Sequence, residues 1–215
     1  MTIVGEMFDH LLFHFVLSFS GWTWLGLAFA VDLPGETTLE ATPVAVGGVL
    51  YFTGSYSDVY AVDGTTGSLM WKFEPKMWQH NPVKMNYGFG ANRGVAYHDG
   101  KIFSAALDGR LFAIDAKTGT KLWEAETTDP KGGQTITGAP RVMNGKVIIG
   151  QGGADFGMRG YVSAWDQATG KTVWRFYVVP GTPDQNKGDA AMEAAAKTWP
   201  AGFLGAANGG GGGPW

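Results

Sequence analysis

The chain has 215 residues, with 16 Lys and Arg against 19 Asp and Glu and a net charge of −3. That balance lacks the clustered positive charge that phosphate binding requires, so no nucleic acid partner is expected. The absence of Cys excludes a disulfide or a thiolate metal site, while 34 Gly and 9 Trp point to many tight turns and a repeated aromatic packing role. In chain order, the first feature is an apolar run, Leu11 to Val31, long enough for a membrane span. Glu6 and Asp9 precede it and no Lys or Arg does, which is the wrong charge for a secretory signal. Two readings stand: a membrane helix, or an atypical segment 1–23 followed by a strand over Trp24 to Leu33.

Three segments then align without gaps: Ala61 to Trp71, Ala113 to Trp123 and Ala164 to Trp174. Each reads Ala-x-Asp-x-x-Thr-Gly-x-x-x-Trp, at a period of 52 and then 51 residues. Asp-x-x-Thr-Gly predicts a hairpin turn, with the Asp side chain accepting backbone N–H groups and the Gly at positive φ. Upstream of each turn lies a pair of apolar runs. They are Thr42 to Val46 with Val49 to Thr53, Arg93 to Tyr97 with Lys101 to Ala105, and Ala139 to Met143 with Lys146 to Gly150. Each unit therefore supplies about four strands in roughly fifty residues, the size of a propeller blade. The closing Trp recurs at one place in every blade and is expected to fill the seam between neighbours.

The predicted fold is an all-β propeller of four-stranded tryptophan-docking blades, with about half of an eight-bladed ring in this chain. The propeller part spans 24–215, with repeats near 42–74, 93–126 and 139–177. Residues 180–215 form an excursion and the start of a next blade. Within it, Pro180 to Lys187 reads as a polar loop and Gly188 to Lys197 as a short Ala-rich helix. The run Asn208 to Trp215 holds five consecutive Gly, which either lets backbone approach a ligand closely or makes a flexible tail.

The repeat resembles that of the quinoprotein dehydrogenases. So do five phrases in the family's order: Leu39 to Pro43, Asn92 to Tyr97, Thr135 to Pro140, Gly152 to Tyr161, and Gly209 to Trp215. Together they cover roughly Trp24 to Trp215, and the methanol and ethanol dehydrogenases are the subfamily they are most similar to. The resemblance implies pyrroloquinoline quinone (PQQ) with a cation, usually calcium and in some members a lanthanide. It implies cofactor-binding roles for Glu40, Arg93, Thr137, Gly153, Ala154 and Trp215. Arg93 offers a fork of donors to a carboxylate or quinone oxygen, and Trp215 is the floor beneath the rings.

Two departures from the family pattern stand out. Asp155 occupies the place of the family's metal-binding glutamate. Its carboxylate remains a hard oxygen ligand but is one methylene shorter. Tyr87 and Gly88 occupy the place of the family's adjacent cysteines, which leaves Tyr87 as a candidate to stack on the cofactor and a plain Gly-rich loop as the alternative.

By the same resemblance, the reaction is oxidation of an alcohol by a carboxylate base and hydride transfer to the quinone. Electrons then pass to a cytochrome-type acceptor in the periplasm. The family's base and a further metal ligand belong to later blades. No catalytic base is named here, and the 215 residues alone are expected to be inactive, as the N-terminal part of an enzyme whose other propeller half lies elsewhere. A non-catalytic propeller scaffold and a sugar-oxidising quinoprotein are the rival readings. Arg93 has a structural alternative as the ion-pair partner of Glu40, and Arg159 and Arg175 are expected to be structural. His10, His14, His80 and His98 form no metal-ligand pattern.

Overall fold

A computed structural model of the chain describes residues 27–153, 157–200, 202 and 211–214. The segment 1–23 and Ala154, Asp155 and Trp215 lie outside these. Among the described residues the dominant feature is three four-stranded antiparallel sheets, each in simple sequential order. The first holds β1 (Val44–Val46), β2 (Val49–Thr53), β3 (Val59–Asp63) and β4 (Leu69–Phe73). The second holds β5 (Ala96–His98), β6 (Lys101–Ala105), β7 (Arg110–Asp115) and β8 (Lys121–Glu126). The third holds β9 (Arg141–Met143), β10 (Lys146–Gly150), β11 (Tyr161–Asp166) and β12 (Thr172–Tyr177).

The sheets stack as blades. One core joins Tyr51, Val59 and Ala61 of the first to Ile102, Phe112 and Ile114 of the second. Another joins Phe103, Leu111 and Ala113 of the second to Val147, Ile149 and Trp165 of the third. The middle strands are therefore buried on both faces and read as continuous apolar runs, whereas β4, β8 and β12 are largely exposed. The first strands of the blades lie side by side, β1 beside β5 and β5 beside β9. These strands line the inner edge of the partial ring.

The repeat works as its chemistry predicts. The Asp63 carboxylate accepts the N–H groups of Thr65 and Thr66, each at 2.8 Å. Asp115 and Asp166 accept the N–H and the hydroxyl of Thr118 and Thr169 in the same way. These hydrogen bonds, from the Thr side chains first at Asp115 and Asp166 and from backbone N–H at Asp63, hold all three carboxyls below the usual aspartate range. Each repeat Ala pairs directly with its Trp, and each of these Ala residues is fully buried. A small side chain there leaves room for the ring to lean toward the next blade.

That lean closes the seams. The Trp71 ring lies on the turn of the second blade, where a Cβ at Gly119 would come within 2.8 Å of it. Trp71 Nε1 donates to the Ala116 carbonyl at 3.0 Å. Trp123 repeats this on the third blade, against Gly170 at 2.7 Å and donating to Gln167 O at 3.1 Å. Gly119 and Gly170 have φ of +73° and +69°, so the turn and the seam both favour glycine. Trp174 is 39% exposed, and none of the described turns receives it.

The segment before β1 differs from expectation. Residues 27–33 join no ladder among the described residues. Val31 and Leu33 are nonetheless buried, on the face of the first sheet formed by Leu50, Phe52, Tyr60 and Val62. Phe29 covers Gly67 as a Trp covers the other two turns. The apolar pattern here serves face burial rather than strand pairing. After β12, residues 180–187 contain a single turn of helix (Pro183–Asn186), closed by a reciprocal Thr182–Gln185 capping box. A further helix, Ala190–Ala196, falls within the expected Gly188 to Lys197 stretch and is capped by Asp189. Among the described residues no helix is long and apolar enough to cross a membrane. Arg159 stacks on Tyr177 at 3.8 Å and Arg175 on Tyr161 at 3.9 Å, packing roles within the third blade.

Candidate functional site

Chain enters each inner strand from the same end of the blades, so the residues just before β1, β5 and β9 meet at one mouth. Three candidates named from the sequence meet there. Arg93 donates through Nη1 to Thr137 Oγ1 at 2.6 Å, and its backbone N–H donates to the Thr137 carbonyl at 2.9 Å. Its Nη2 lies 3.5 Å from Glu40 Oε2. The ion pair of Arg93 with Glu40 thus exists, and it orients the guanidinium toward the mouth rather than removing it. Both side chains stay more than one-third exposed, so the pair itself adds little stability.

Asn92 sets the position of Arg93. Its fully buried amide donates to Ser57 Oγ at 3.0 Å and to the Ala105 carbonyl at 2.7 Å. Its Oδ1 accepts from Thr53 Oγ1 at 2.9 Å and from Gly94 N–H at 3.0 Å. Every polar atom of the amide is used, which fixes the backbone one residue before the guanidinium.

The mouth opens into a cleft of about 500 Å³ lined by Glu40, Thr42, Arg93, Arg141, Ile149 and Pro214, among others. Arg141 is a second guanidinium in this cleft. It donates to the carbonyls of Ala139 and Pro140, both at 3.1 Å, and no carboxylate pairs with it among the described residues. Among the described residues of the lining, two guanidinium groups face one carboxylate, an arrangement suited to an anion.

The glycine run reaches the same cleft. The 211–214 stretch lies parallel to 158–160, with Gly160 N–H donating to Gly211 O at 3.0 Å and Gly211 N–H to Met158 O at 3.2 Å. The approach is closer than any side chain allows. A Cβ at Gly160 would fall 1.7 Å from Gly212 O, and one at Gly150 would fall 1.6 Å from Pro214 O. Pro214 is thereby placed in the cleft lining, and Trp215 is the next residue in the chain. Gly153 lies outside that lining. Its neighbour Gly152 bridges to Thr135, and a Cβ at Gly153 would meet Gly133 O at 2.7 Å. The loop leading to Ala154 and Asp155 is thus tied to the segment that carries Thr137. Among the described residues no group of three or more His, Asp or Glu could hold a metal. His80 instead pairs with Glu126 at 2.6 Å, and His98 Nδ1 lies 2.8 Å from Gln167 Nε2.

Asn92 and Arg141 went unassigned in the sequence. Asn92 directly precedes Arg-Gly and Arg141 directly follows Ala-Pro. Their places beside residues already singled out were the available signal.

Fold and cleft together define a partial tryptophan-docked propeller with a guanidinium-lined mouth at its inner edge. The family described as the glucose/ethanol/alcohol dehydrogenase β-propeller domain, a PQQ family, matches residues 20–202. The chain belongs to this family. It is 50% identical over 192 residues to quinohemoprotein alcohol dehydrogenase ADH-IIG of Pseudomonas putida, covering 89% of this chain and 26% of that protein. It is 48% identical over 187 residues to 1-butanol dehydrogenase (cytochrome c) of Thauera butanivorans, covering 83% and 26%. The crystal structure of quinohemoprotein alcohol dehydrogenase from Comamonas testosteroni superposes with a TM-score of 0.76 at 44% identity, covering 84% of this chain and 27% of that one. The chain spans about a quarter of the length of the relatives it matches.

Proposed function

We propose that the whole protein oxidises alcohols with PQQ as cofactor, and that the residues described here form one wall of the cofactor site. The observation that carries this reading is the cleft with Arg93 held by Thr137 and Glu40, and with Arg141 paired to no carboxylate among the described residues. PQQ is a flat tricarboxylate, and a guanidinium-lined cleft of this size with a hydroxyl at its rim fits such a group. Arg93 and Thr137 would hold its oxygens, backbone amides at Gly153 and Ala154 would approach its edge, and the Trp215 ring would lie beneath it. Asp155 would supply a hard oxygen ligand to calcium, and a lanthanide suits the same donor. When bound, the quinone accepts hydride and the cation polarises its oxygen as a Lewis acid.

The chain's own part is binding and orientation. Asn92 fixes the backbone at Arg93, Glu40 pairs with its guanidinium, and the glycine run brings Pro214, the residue before Trp215 in the sequence, to the cleft. No proton acceptor for the alcohol is assigned among these residues. Electrons are proposed to leave to a cytochrome, as the name of the Thauera relative suggests. The proposed compartment is the periplasm.

The test is dye reduction by purified protein with PQQ and calcium, using ethanol, 1-butanol and glucose in parallel. The reading predicts turnover of the alcohols by the protein that carries the later blades. The 215 residues by themselves are predicted to bind PQQ without turnover. Preference for glucose, or no dependence on PQQ, contradicts it. A narrower prediction concerns the second guanidinium. Arg141→Gln should weaken PQQ binding about tenfold and flatten its salt dependence, since one cation facing an anion is removed. Equilibrium dialysis at two ionic strengths measures both.

A further inference from the structure

Lys84 sits in the short 3-10 turn Pro82–Asn86, within the connection from β4 to β5. It is only 1% exposed. Its ammonium donates at 3.1 Å to each of three oxygens, the Asp108 carbonyl, Thr128 Oγ1 and the Asp129 carbonyl. None of the three is a carboxylate. The Asp108 carboxylate is engaged elsewhere, by Arg110 Nε at 2.9 Å and Nη2 at 2.7 Å. Burial accordingly pushes the Lys84 ammonium below the usual lysine range, with Asp108, Glu126 and Asp129 opposing at longer distance. Burying a charge on neutral acceptors is costly, and the three hydrogen bonds offset that cost while tying together segments of two blades. The arrangement calls for a role beyond packing.

The three acceptors belong to two loops of the second blade, 106–109 between β6 and β7 and the stretch that follows β8. The ammonium therefore clamps the β4–β5 connection onto the rim of the neighbouring blade. Asn81 Nδ2 adds a bond to the Pro130 carbonyl at 2.8 Å on the upstream side. Downstream, the Tyr87 N–H donates to the Lys84 carbonyl at 3.1 Å. The Phe89 carbonyl accepts from Thr38 Oγ1 at 3.2 Å, two residues before Glu40. Asn92 and Arg93 follow directly. Segment 85–91 thus links Lys84 to Asn92 and Arg93, tethered midway to the strand entry that carries Glu40.

We propose that Lys84 is a positioning residue of the cofactor cleft, its ammonium locking segment 85–91 against the second blade so that Arg93 stands in place before the anion arrives. The inference rests on the reading of the cleft as the PQQ site. Preorganisation of this kind raises affinity by removing the cost of ordering the loop on binding.

The experiment compares wild type with Lys84→Met, and with the milder Thr128→Val, which removes one of the three acceptors. Three quantities are measured at a temperature where each protein is folded by circular dichroism: PQQ affinity by fluorescence titration, amide exchange of residues 85–91 without PQQ, and the unfolding midpoint. The expected result is exchange faster by about tenfold or more in that segment, with PQQ affinity weaker by about tenfold in Lys84→Met and by less in Thr128→Val. A purely structural role would lower the midpoint and leave affinity and local exchange unchanged, which overturns the proposal. If Lys84→Met does not fold, the same two readouts on Thr128→Val decide it. A wild type that binds no PQQ overturns the cofactor reading as well, whereas a wild type that binds beside variants that match it overturns only the role of Lys84.

Discussion

Gly150→Ala is expected to lower PQQ affinity by roughly 30- to 1,000-fold, or about 2–4 kcal/mol, while leaving the blades folded. The methyl group would fall 1.6 Å from the Pro214 carbonyl oxygen, less than half of a normal contact distance. Something must move, and the two sides are unequally held. Gly150 is the last residue of β10, which pairs with β11 along its whole length and with β9 over its first three residues. The 211–214 segment is held to the third blade by the bonds between Gly211 and residues 158 and 160, worth about 1 kcal/mol each. The segment is therefore expelled and the strand stays. Pro214 then leaves the cleft lining, which removes the anchor of the residue next in the sequence, Trp215, proposed as the cofactor's floor. The measurement is a PQQ titration alongside thermal unfolding. Unchanged affinity with an unchanged midpoint would show that the glycine run has no part in the cleft.

Trp123→Ala should cost about 2–4 kcal/mol of stability, somewhat under the range for a fully buried aromatic because the ring is half-buried in its seam. The ring does three things at once. It covers the third blade's turn at Gly170, donates to the Gln167 carbonyl at 3.1 Å, and contacts Phe103 at a centroid distance of 5.9 Å. Its loss opens the interface that the second core occupies and leaves a carbonyl without its partner. Gly170→Ala attacks the same seam from the other side, since a Cβ there meets the Trp123 ring at 2.7 Å and φ is +69°. The two changes should therefore be non-additive, with a coupling of about 1 kcal/mol or more in a double-mutant cycle. Urea denaturation of the four proteins provides the numbers. A loss below about 1 kcal/mol for Trp123→Ala would mean that the apolar core, and not the docked ring, holds the blades together.

The blades were legible in the sequence because their signals are local. A hairpin whose Asp accepts N–H groups two and three residues on is written within five positions, and three copies at one period fix the blade. Strands β2, β6 and β10 begin and end where the apolar runs do, and the seam role of Trp71 and Trp123 follows from their place in the repeat. Residues 27–33 were misjudged because apolar patterning reports burial and not hydrogen-bond partners. Val31 and Leu33 are buried against a sheet face without pairing along an edge. The one-turn helix at Pro183 was hidden in a polar stretch, although Thr182 and Gln185 are spaced for a capping box.

The site was harder to see than the blades. Glu40, Arg93 and Thr137 are separated by some fifty residues each and meet only because three blades stack; the family resemblance named them, and elementary patterning did not. Arg141 was concealed as an ordinary polar residue of an inner strand. Lys84 was concealed because a lysine in a loop ordinarily lies in water, and nothing nearby in sequence announces its three acceptors.

The most direct test of the account is equilibrium titration of the purified protein with PQQ in the presence of calcium, followed by protein fluorescence, for wild type and Arg93→Gln. The account predicts saturable binding of one PQQ per chain, weakened by at least about thirtyfold in Arg93→Gln, whose neutral amide replaces a charge-assisted contact worth about 2 kcal/mol or more. Absence of binding by the wild type, or binding indifferent to Arg93 while both proteins are folded, would contradict it.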